Sequence, residues 1–375
     1  MITTRAAVLR AMGAARPYAA SRPLAIETVE LDPPGRGEVR VRIRAAGLCH
    51  SDLSVINGDR PRPMPMALGH EAAGEVEAVG PGVDDLRPGD RVVMVFMPSC
   101  GHCAPCAGGR PALCEPGAAA NGRGELLAGG RRMRLGAETL NHHLGCSAFA
   151  ERAVVSRRSL VRVPDDLPFE HAALFGCAVL TGVGAVVNTA RVTVGQSVVV
   201  VGLGGVGLAS VLGALASGAS PVVAVDLSED KLALARSLGP VRTVNAADPD
   251  AVEQVRALTG GGAEVALEMA GSAKALEAAW KMTRRGGTTV TAGLPPPEAA
   301  LAVNIVSLVA EERTLKGSYI GTCVPSRDIP RFIALFREGR LPVDRLLSGT
   351  VALEDINAAF DALAEGKAVR TVVRL

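Results

Sequence analysis

Aromatic side chains are scarce in this chain: Phe, Trp and Tyr make up 3% of its 375 residues, with one Trp and two Tyr. Alanine, valine and leucine must therefore fill the core. Aromatic-interleaved basic patches, the mark of nucleic-acid binding, are missing as well. Neither sign of charge dominates, since 40 Lys and Arg face 38 Asp and Glu for a net charge of +2. No nucleic-acid partner is expected. No apolar run approaches the roughly 18 residues of a membrane span, so no membrane partner is expected either. Met1–Arg10 holds two arginines but no apolar core of export-signal length, which points to the cytoplasm. In a reducing compartment the eight cysteines read as metal ligands or core thiols. The length suffices for two domains with full-sized cores.

Half of those cysteines crowd into one run. Cys100, Cys103, Cys106 and Cys114 follow the spacing C-x2-C-x2-C-x7-C. Four thiolates on short spacers suit tetrahedral zinc, and a four-cysteine site is closed, so it builds structure and does no chemistry. An iron–sulfur cluster is the second reading, but its spacing expects an earlier fourth cysteine followed by proline, and here Glu115 follows. Disulfides or free thiols are the third.

The chain changes texture along its length. Up to about residue 175, short β-prone runs are cut by Gly and Pro. Glu38–Ile43, Gly74–Val79 and Asp90–Val95 alternate with period two, as half-buried strands do. From about Thr181, valine-rich runs alternate with Ala/Leu-rich stretches. Strands are expected at Ser197–Val201, Val222–Val225, Glu264–Glu268, Thr288–Ala292 and Thr314–Tyr319, with helices between them. This βαβ succession predicts a doubly wound parallel sheet. In the tail, Arg327–Arg337 and Leu353–Ala364 read as helices and Ala368–Arg374 as a strand. The expected division is 1–178, 179–321 and a return over 322–375.

Gly202-Leu203-Gly204-Gly205-Val206-Gly207 stands between the valine strand and a helix. That context gives G-x-G-x-x-G its meaning: a tight turn, close approach to a pyrophosphate, close helix–strand packing, and a helix N-terminus facing the phosphates. Asp226, at the end of the next strand, is placed to hold both ribose hydroxyls and to repel a 2′-phosphate, which favours NAD over NADP. Lys231 lies within reach of the same ribose or is a solvated helix lysine.

Three more metal-ligand candidates are dispersed: Cys49, His70 and Cys177. Two thiolates and an imidazole make a three-ligand zinc site with an open fourth position. Taken singly, Cys177 reads equally as a core thiol and His70 as a turn residue, and spacing does not decide whether the three converge.

Gly69-His70-Glu71-x2-Gly74-x5-Gly80-x2-Val83, the four-cysteine run, the glycine turn at its distance, and the ending Ala368–Val373 together resemble the zinc-dependent alcohol dehydrogenases of the medium-chain dehydrogenase/reductase superfamily, over essentially the whole length. The resemblance implies an α/β protein: a Rossmann domain plus a mainly β, GroES-like catalytic domain. It implies two Zn2+ per chain and NAD. Cys49, His70 and Cys177 would bind the catalytic zinc, and Glu71 just behind it would ligate transiently. Asp52 would orient His70, and Ser51 would bond the substrate oxygen and pass on its proton. His50 and Arg370 would approach the pyrophosphate, with Gly205 and Val206 in the turn. Thr181 would pack near the nicotinamide, and Phe96 would line the substrate pocket. The implied reaction is reversible hydride transfer between an alcohol and NAD, giving an aldehyde or ketone. Aldehyde dismutation, carbonyl reduction or a non-catalytic sensor are the alternatives.

The chain also departs from its relatives. Ser54 stands where many of them place the histidine that ends a proton relay, so the relay must end on water, on His50, or on a group such as His142 or His143. The anion-binding arginine of the glutathione-dependent members is absent after Cys114, which disfavours that substrate. The segment 119–143 resembles an insertion of dimeric members, so a homodimer is expected. Cys146 and Cys323 have no assigned role.

Overall fold

The structure, a computed structural model, describes residues 1–375. It separates into two compact units: Met1–Cys177 with Val324–Pro330 and Leu347–Leu375, and Ala178–Cys323 with Arg331–Leu346. In chain order the first unit lays down β1 (Ile2–Leu9), β2 (Leu24–Leu31), β3 (Glu38–Gly47), β4 (Met66–Ala67), β5 (Ala72–Val79), β6 (Arg91–Met94), β7 (Met133–Leu135), β8 (Glu138–His142), β9 (Arg152–Ser156) and β10 (Leu160–Arg162). Strands β1, β2, β7, β8 and β4 close into a small barrel, which removes exposed sheet edges. The segment expected as an insertion thus supplies β7 and β8, two of its staves. A second sheet carries β10, β6, β5 and β3 in that order, with β9 also paired to β3. The period-two pattern of β3 turns Val39, Val41 and Ile43 inward, all buried.

The second unit holds β11 (Val198–Val201), β12 (Val222–Asp226), β13 (Val241–Asn245), β14 (Ala263–Glu268), β15 (Thr283–Thr291) and β16 (Thr314–Gly317). Every pairing is parallel, in the order β13-β12-β11-β14-β15-β16. This is the strand order of a doubly wound sheet, the architecture expected from the βαβ succession. All four valines of β11 are buried, as a central strand covered on both faces requires. Strand β13, absent from the sequence expectation, is an edge strand with exposed Arg242, and edge strands carry the weakest apolar pattern.

Two short strands return to the first unit: β17 (Gly349–Ala352) and β18 (Thr371–Arg374). β18 runs antiparallel to β3, with Val372 opposite Gly47. The expected boundaries need correction at the tail. Cys323, not residue 321, closes the second unit, and Arg331–Leu346 belongs to it rather than to the first. The reason is burial: Val343 and Leu346 sit in a short 3-10 turn packed against the helix Gly205–Ala216. No helix is long and apolar enough to cross a membrane.

Candidate functional site

The first unit brings together three groups of side chains able to hold a metal: the four cysteines of the run, Cys49 with His70 and Cys177, and Asp52 with His70 and His143. Around Cys100, Cys103, Cys106 and Cys114 the four Sγ atoms all lie within 4.8 Å of one another. A tetrahedral set at the usual zinc–sulfur distance has sulfurs roughly 3.8 Å apart, and Cys103 and Cys114 stand at 4.0 Å. Backbone N–H groups aim at the sulfurs: Cys100 donates to Cys114 Sγ (3.1 Å), Cys103 to Cys100 Sγ (3.3 Å) and Gly117 to Cys114 Sγ (3.4 Å). The His102 N–H is the largest influence that lowers the Cys100 pKa to about 6, toward the thiolate a metal needs. Gly117 is required here, because a Cβ would run into the carbonyl of Pro98.

The Cys49–His70–Cys177 group is assembled from three separate places, and a fourth brings Arg370 beside it. Cys49 follows β3 and stands at the N-cap position of the helix His50–Ile56, its thiol making no capping bond. His70 lies in the turn between β4 and β5, behind Gly69 at φ +95°, where a side chain would strike the backbone of Phe149. Cys177 follows Gly176, which is pressed so close to the carbonyl of Met94 that no Cβ fits. Arg370 arrives from the far end of the chain, immediately before β18; the docking of β18 on β3 includes the bond from Leu48 N–H to Thr371 O (2.9 Å). The ligand atoms of Cys49, His70 and Cys177 lie within 4.8 Å of one another, and Cys177 Sγ is 3.5 Å from His70 Nε2. All three residues are buried.

The charges form one network. His70 Nδ1 donates to Asp52 Oδ1 at 3.1 Å, which orients the ring so that Nε2 faces Cys177 Sγ. Burial opposes charge on His70, but Asp52 and Cys49 override it and hold its pKa well above the ordinary value. Burial also opposes charge on Asp52, and there His70 and His143 keep the carboxyl below its ordinary value. The Cys49 thiol is held far below its usual pKa, first by the bond with Cys177 and then, against burial, by His70 and Arg370. Glu71 is buried with both carboxylate oxygens lacking a hydrogen bond, and Arg370 Nη1 stands 3.6 Å from one of them. Burial lifts the Glu71 pKa to about 7 in spite of Arg370. Three converging soft and borderline donors, with an orphaned carboxylate behind them, fit a divalent zinc ion.

In the second unit the three glycines of the turn have distinct surroundings. Gly202 has φ +91°, the left-handed conformation the turn demands. Gly204 has open space on its Cβ side, room for a ligand to approach the backbone. A Cβ at Gly207 would run into the carbonyl of Gly202, so this glycine sets how closely helix meets strand. The helix starts at Gly205, with Val206 in its first turn. Asp226, at the end of β12, accepts from Leu203 N–H (2.6 Å) and Ser228 N–H (3.0 Å), which ties the glycine turn to the neighbouring strand. Such a cradle fits a dinucleotide. Lys231 sits in the first turn of the following helix, its N–H directed to the Ser228 cap.

Of the other predicted residues, Phe96 packs edge-on against His70, with centroids 5.3 Å apart. Ser51 is partly exposed and His50 exposed in the first turn of their helix. Thr181 is buried in the helix Ala178–Gly184 of the second unit. His142 and His143, raised as solvent ends of a proton relay, are instead fully buried. Cys146 is a core thiol that burial pushes up to about 12. Two contacts escaped the sequence reading: Arg370 against Glu71, and His143 beside Asp52. The only available signal for the second was the His-His pair itself.

Comparison with known proteins gives concordant matches. Residues 35–165 match the model of the alcohol dehydrogenase GroES-like domain, and 205–338 that of the zinc-binding dehydrogenases. An alcohol dehydrogenase zinc-binding domain protein from Burkholderia ambifaria is similar at 37% identity, TM-score 0.94, over 100% of this chain and 99% of its own. Benzyl alcohol dehydrogenase from Acinetobacter calcoaceticus is similar at 31% identity, TM-score 0.93, over 100% of both chains. A zinc-binding dehydrogenase from Sinorhizobium meliloti 1021 bound to NADP is similar at 25% identity, TM-score 0.80, over 100% of both.

Proposed function

Because this chain belongs to the zinc-type alcohol dehydrogenase family of the medium-chain dehydrogenase/reductase superfamily, we propose that it catalyses reversible, NAD-linked hydride transfer between a primary or secondary alcohol and the matching aldehyde or ketone. The observation that carries this reading is the buried convergence of Cys49, His70 and Cys177 in a chain that also holds the glycine turn. A zinc ion held by these three residues would supply Lewis acidity. The protein's own residues do the rest. Asp52 holds the proton on His70 Nδ1 and so presents Nε2. Ser51 takes the proton from the alcohol oxygen and passes it to water or to the exposed His50. Arg370 supplies a buried positive charge beside Glu71 that favours the Cys49 thiolate. As the alcohol carbon gives up hydride to the nicotinamide ring, the alcohol oxygen gives up its proton, and the carbonyl product carries away neither.

Asp226 supports NAD over NADP, since its carboxylate repels a 2′-phosphate. A homodimer is supported by exposed apolar side chains at one edge of the second unit: Ile305, Val306 and Val309 are at least 70% exposed on the helix Ile305–Ala310, and Leu315 is exposed on the edge strand β16.

The experiment is a panel of primary, secondary and aromatic alcohols, benzyl alcohol first, each with NAD and NADP and with zinc counted per chain. Turnover with NAD, at two zinc ions per chain, is the expected result. Two bound zinc ions without turnover on any alcohol or carbonyl would refute the assignment.

A further inference from the structure

Asp52 Oδ1 is shared by two imidazoles. It lies 3.1 Å from His70 Nδ1 and 3.1 Å from His143 Nδ1, and it accepts the Gly69 N–H at 3.2 Å. All three side chains are at most 1% exposed. The two rings stand nearly perpendicular, at 87°, with centroids 5.5 Å apart, so each approaches the carboxylate from its own side. Asp52 Oδ2 has no hydrogen-bond partner, and His143 Nδ1 makes no aligned bond with any group. A buried carboxylate with one bare oxygen holds its position only through the groups that face it. Here these are Gly69, His70 and His143.

The backbone holds His143 rigidly. It follows β8 at the head of a tight turn in which Cys146 and Ser147 N–H both return to the His143 carbonyl, and Ser147 Oγ accepts the His143 N–H at 3.1 Å. Leu144 and Ser147 both adopt φ +51° in this turn. Non-glycine residues keep such a conformation only where their surroundings enforce it.

We propose that His143 is a positioning residue for the metal: by sharing Asp52 Oδ1 with His70, it fixes the carboxylate that holds the His70 ring and so sets the affinity of the Cys49–His70–Cys177 site. This rests on the reading that those three residues bind zinc. A partner one step behind a metal ligand typically changes metal affinity by about 10- to 100-fold.

The test uses the full chain as wild type, His143→Leu and His143→Asn. Leu keeps bulk without a donor, whereas the Asn amide nitrogen takes the place of Nδ1. Zinc stoichiometry and affinity are read by chelator competition, and the open site is followed by the visible absorption of its cobalt form. The four-cysteine site is the internal control. His143→Leu is expected to keep the four-cysteine metal, to weaken the second site by about 10-fold or more, and to shift its cobalt bands; His143→Asn is expected to restore affinity to within about threefold.

Unchanged affinity and cobalt bands in His143→Leu would overturn the proposal. So would a loss in His143→Asn as large as in His143→Leu, because packing rather than the shared oxygen would then be responsible. A third equivalent of metal in wild type that disappears in His143→Leu would also overturn it, by making His143 a ligand. If His143→Leu loses the four-cysteine metal too, His143→Asn alone decides, and a tenfold loss there counts against the proposal. A wild type that binds metal only at the four cysteines would instead defeat the underlying zinc reading.

Discussion

Acid should weaken the first unit through His142. This imidazole is fully buried at the end of β8, where Arg132 N–H donates to its Nε2 at 3.0 Å. The bond requires an unprotonated Nε2. Burial, helped by the charges of Arg132 and Arg131, lowers the His142 pKa from 6.5 to about 3. The folded value is therefore depressed: stability is complete above about pH 6.5, falls as the unfolded chain takes up its proton, and stops falling below the folded pKa. Between pH 7 and pH 5 this one group costs about 2 kcal/mol, from linkage with those two pKa values. The assay is urea unfolding followed by far-ultraviolet circular dichroism at both pH values, for wild type and for His142→Gln. The Gln carbonyl still accepts from Arg132 N–H but does not titrate. The variant should lose about 2 kcal/mol less than wild type over this range. Equal losses in the two proteins would refute the reasoning, because the acid sensitivity would then lie elsewhere.

Three further outcomes follow from the geometry. Cys103→Ser should release the metal of the four-cysteine site and lower the melting temperature, while Cys49→Ser should keep that metal and lose turnover; metal analysis beside steady-state kinetics checks both. Gly207→Ala should weaken NAD binding by about tenfold or more, because its Cβ meets the Gly202 carbonyl and pushes the helix from the strand; titration calorimetry with NAD reads it, and unchanged affinity would contradict the packing role. Arg370→Ala strips Glu71 of its nearest cation and Leu48 O of its donor. It should destabilise the chain by about 3 kcal/mol, the cost of stranding one partner of a buried pair, and Arg370→Ala/Glu71→Gln should recover part of that in thermal unfolding.

Much of this protein was legible from local pattern. The four-cysteine lobe is written within fifteen residues, so its chemistry needs no folding argument. The glycine turn with its valine strand and Asp226 is a single βαβ unit, and period-two or all-valine runs report strands directly. Resemblance extended this to the dispersed candidate ligands Cys49, His70 and Cys177. Other features depend on chain segments far apart in sequence. Strand β13 and the barrel staves β7 and β8 are short, partly exposed pieces whose pairing is settled by their neighbours. The transfer of Arg331–Leu346 to the second unit is decided by the burial of Val343 and Leu346.

Sequence by itself carried the four-cysteine run, the glycine turn and the strand patterns, because each is encoded in residue types at short spacing. Only the tertiary structure decided that β18 docks on β3 and sets Arg370 against Glu71. It also decided that His142 and His143 are buried rather than open to solvent, and that His143 and His70 face the same oxygen of Asp52. Spacing states which groups are present; burial and convergence, which govern their charge and basicity, exist only once distant segments have packed.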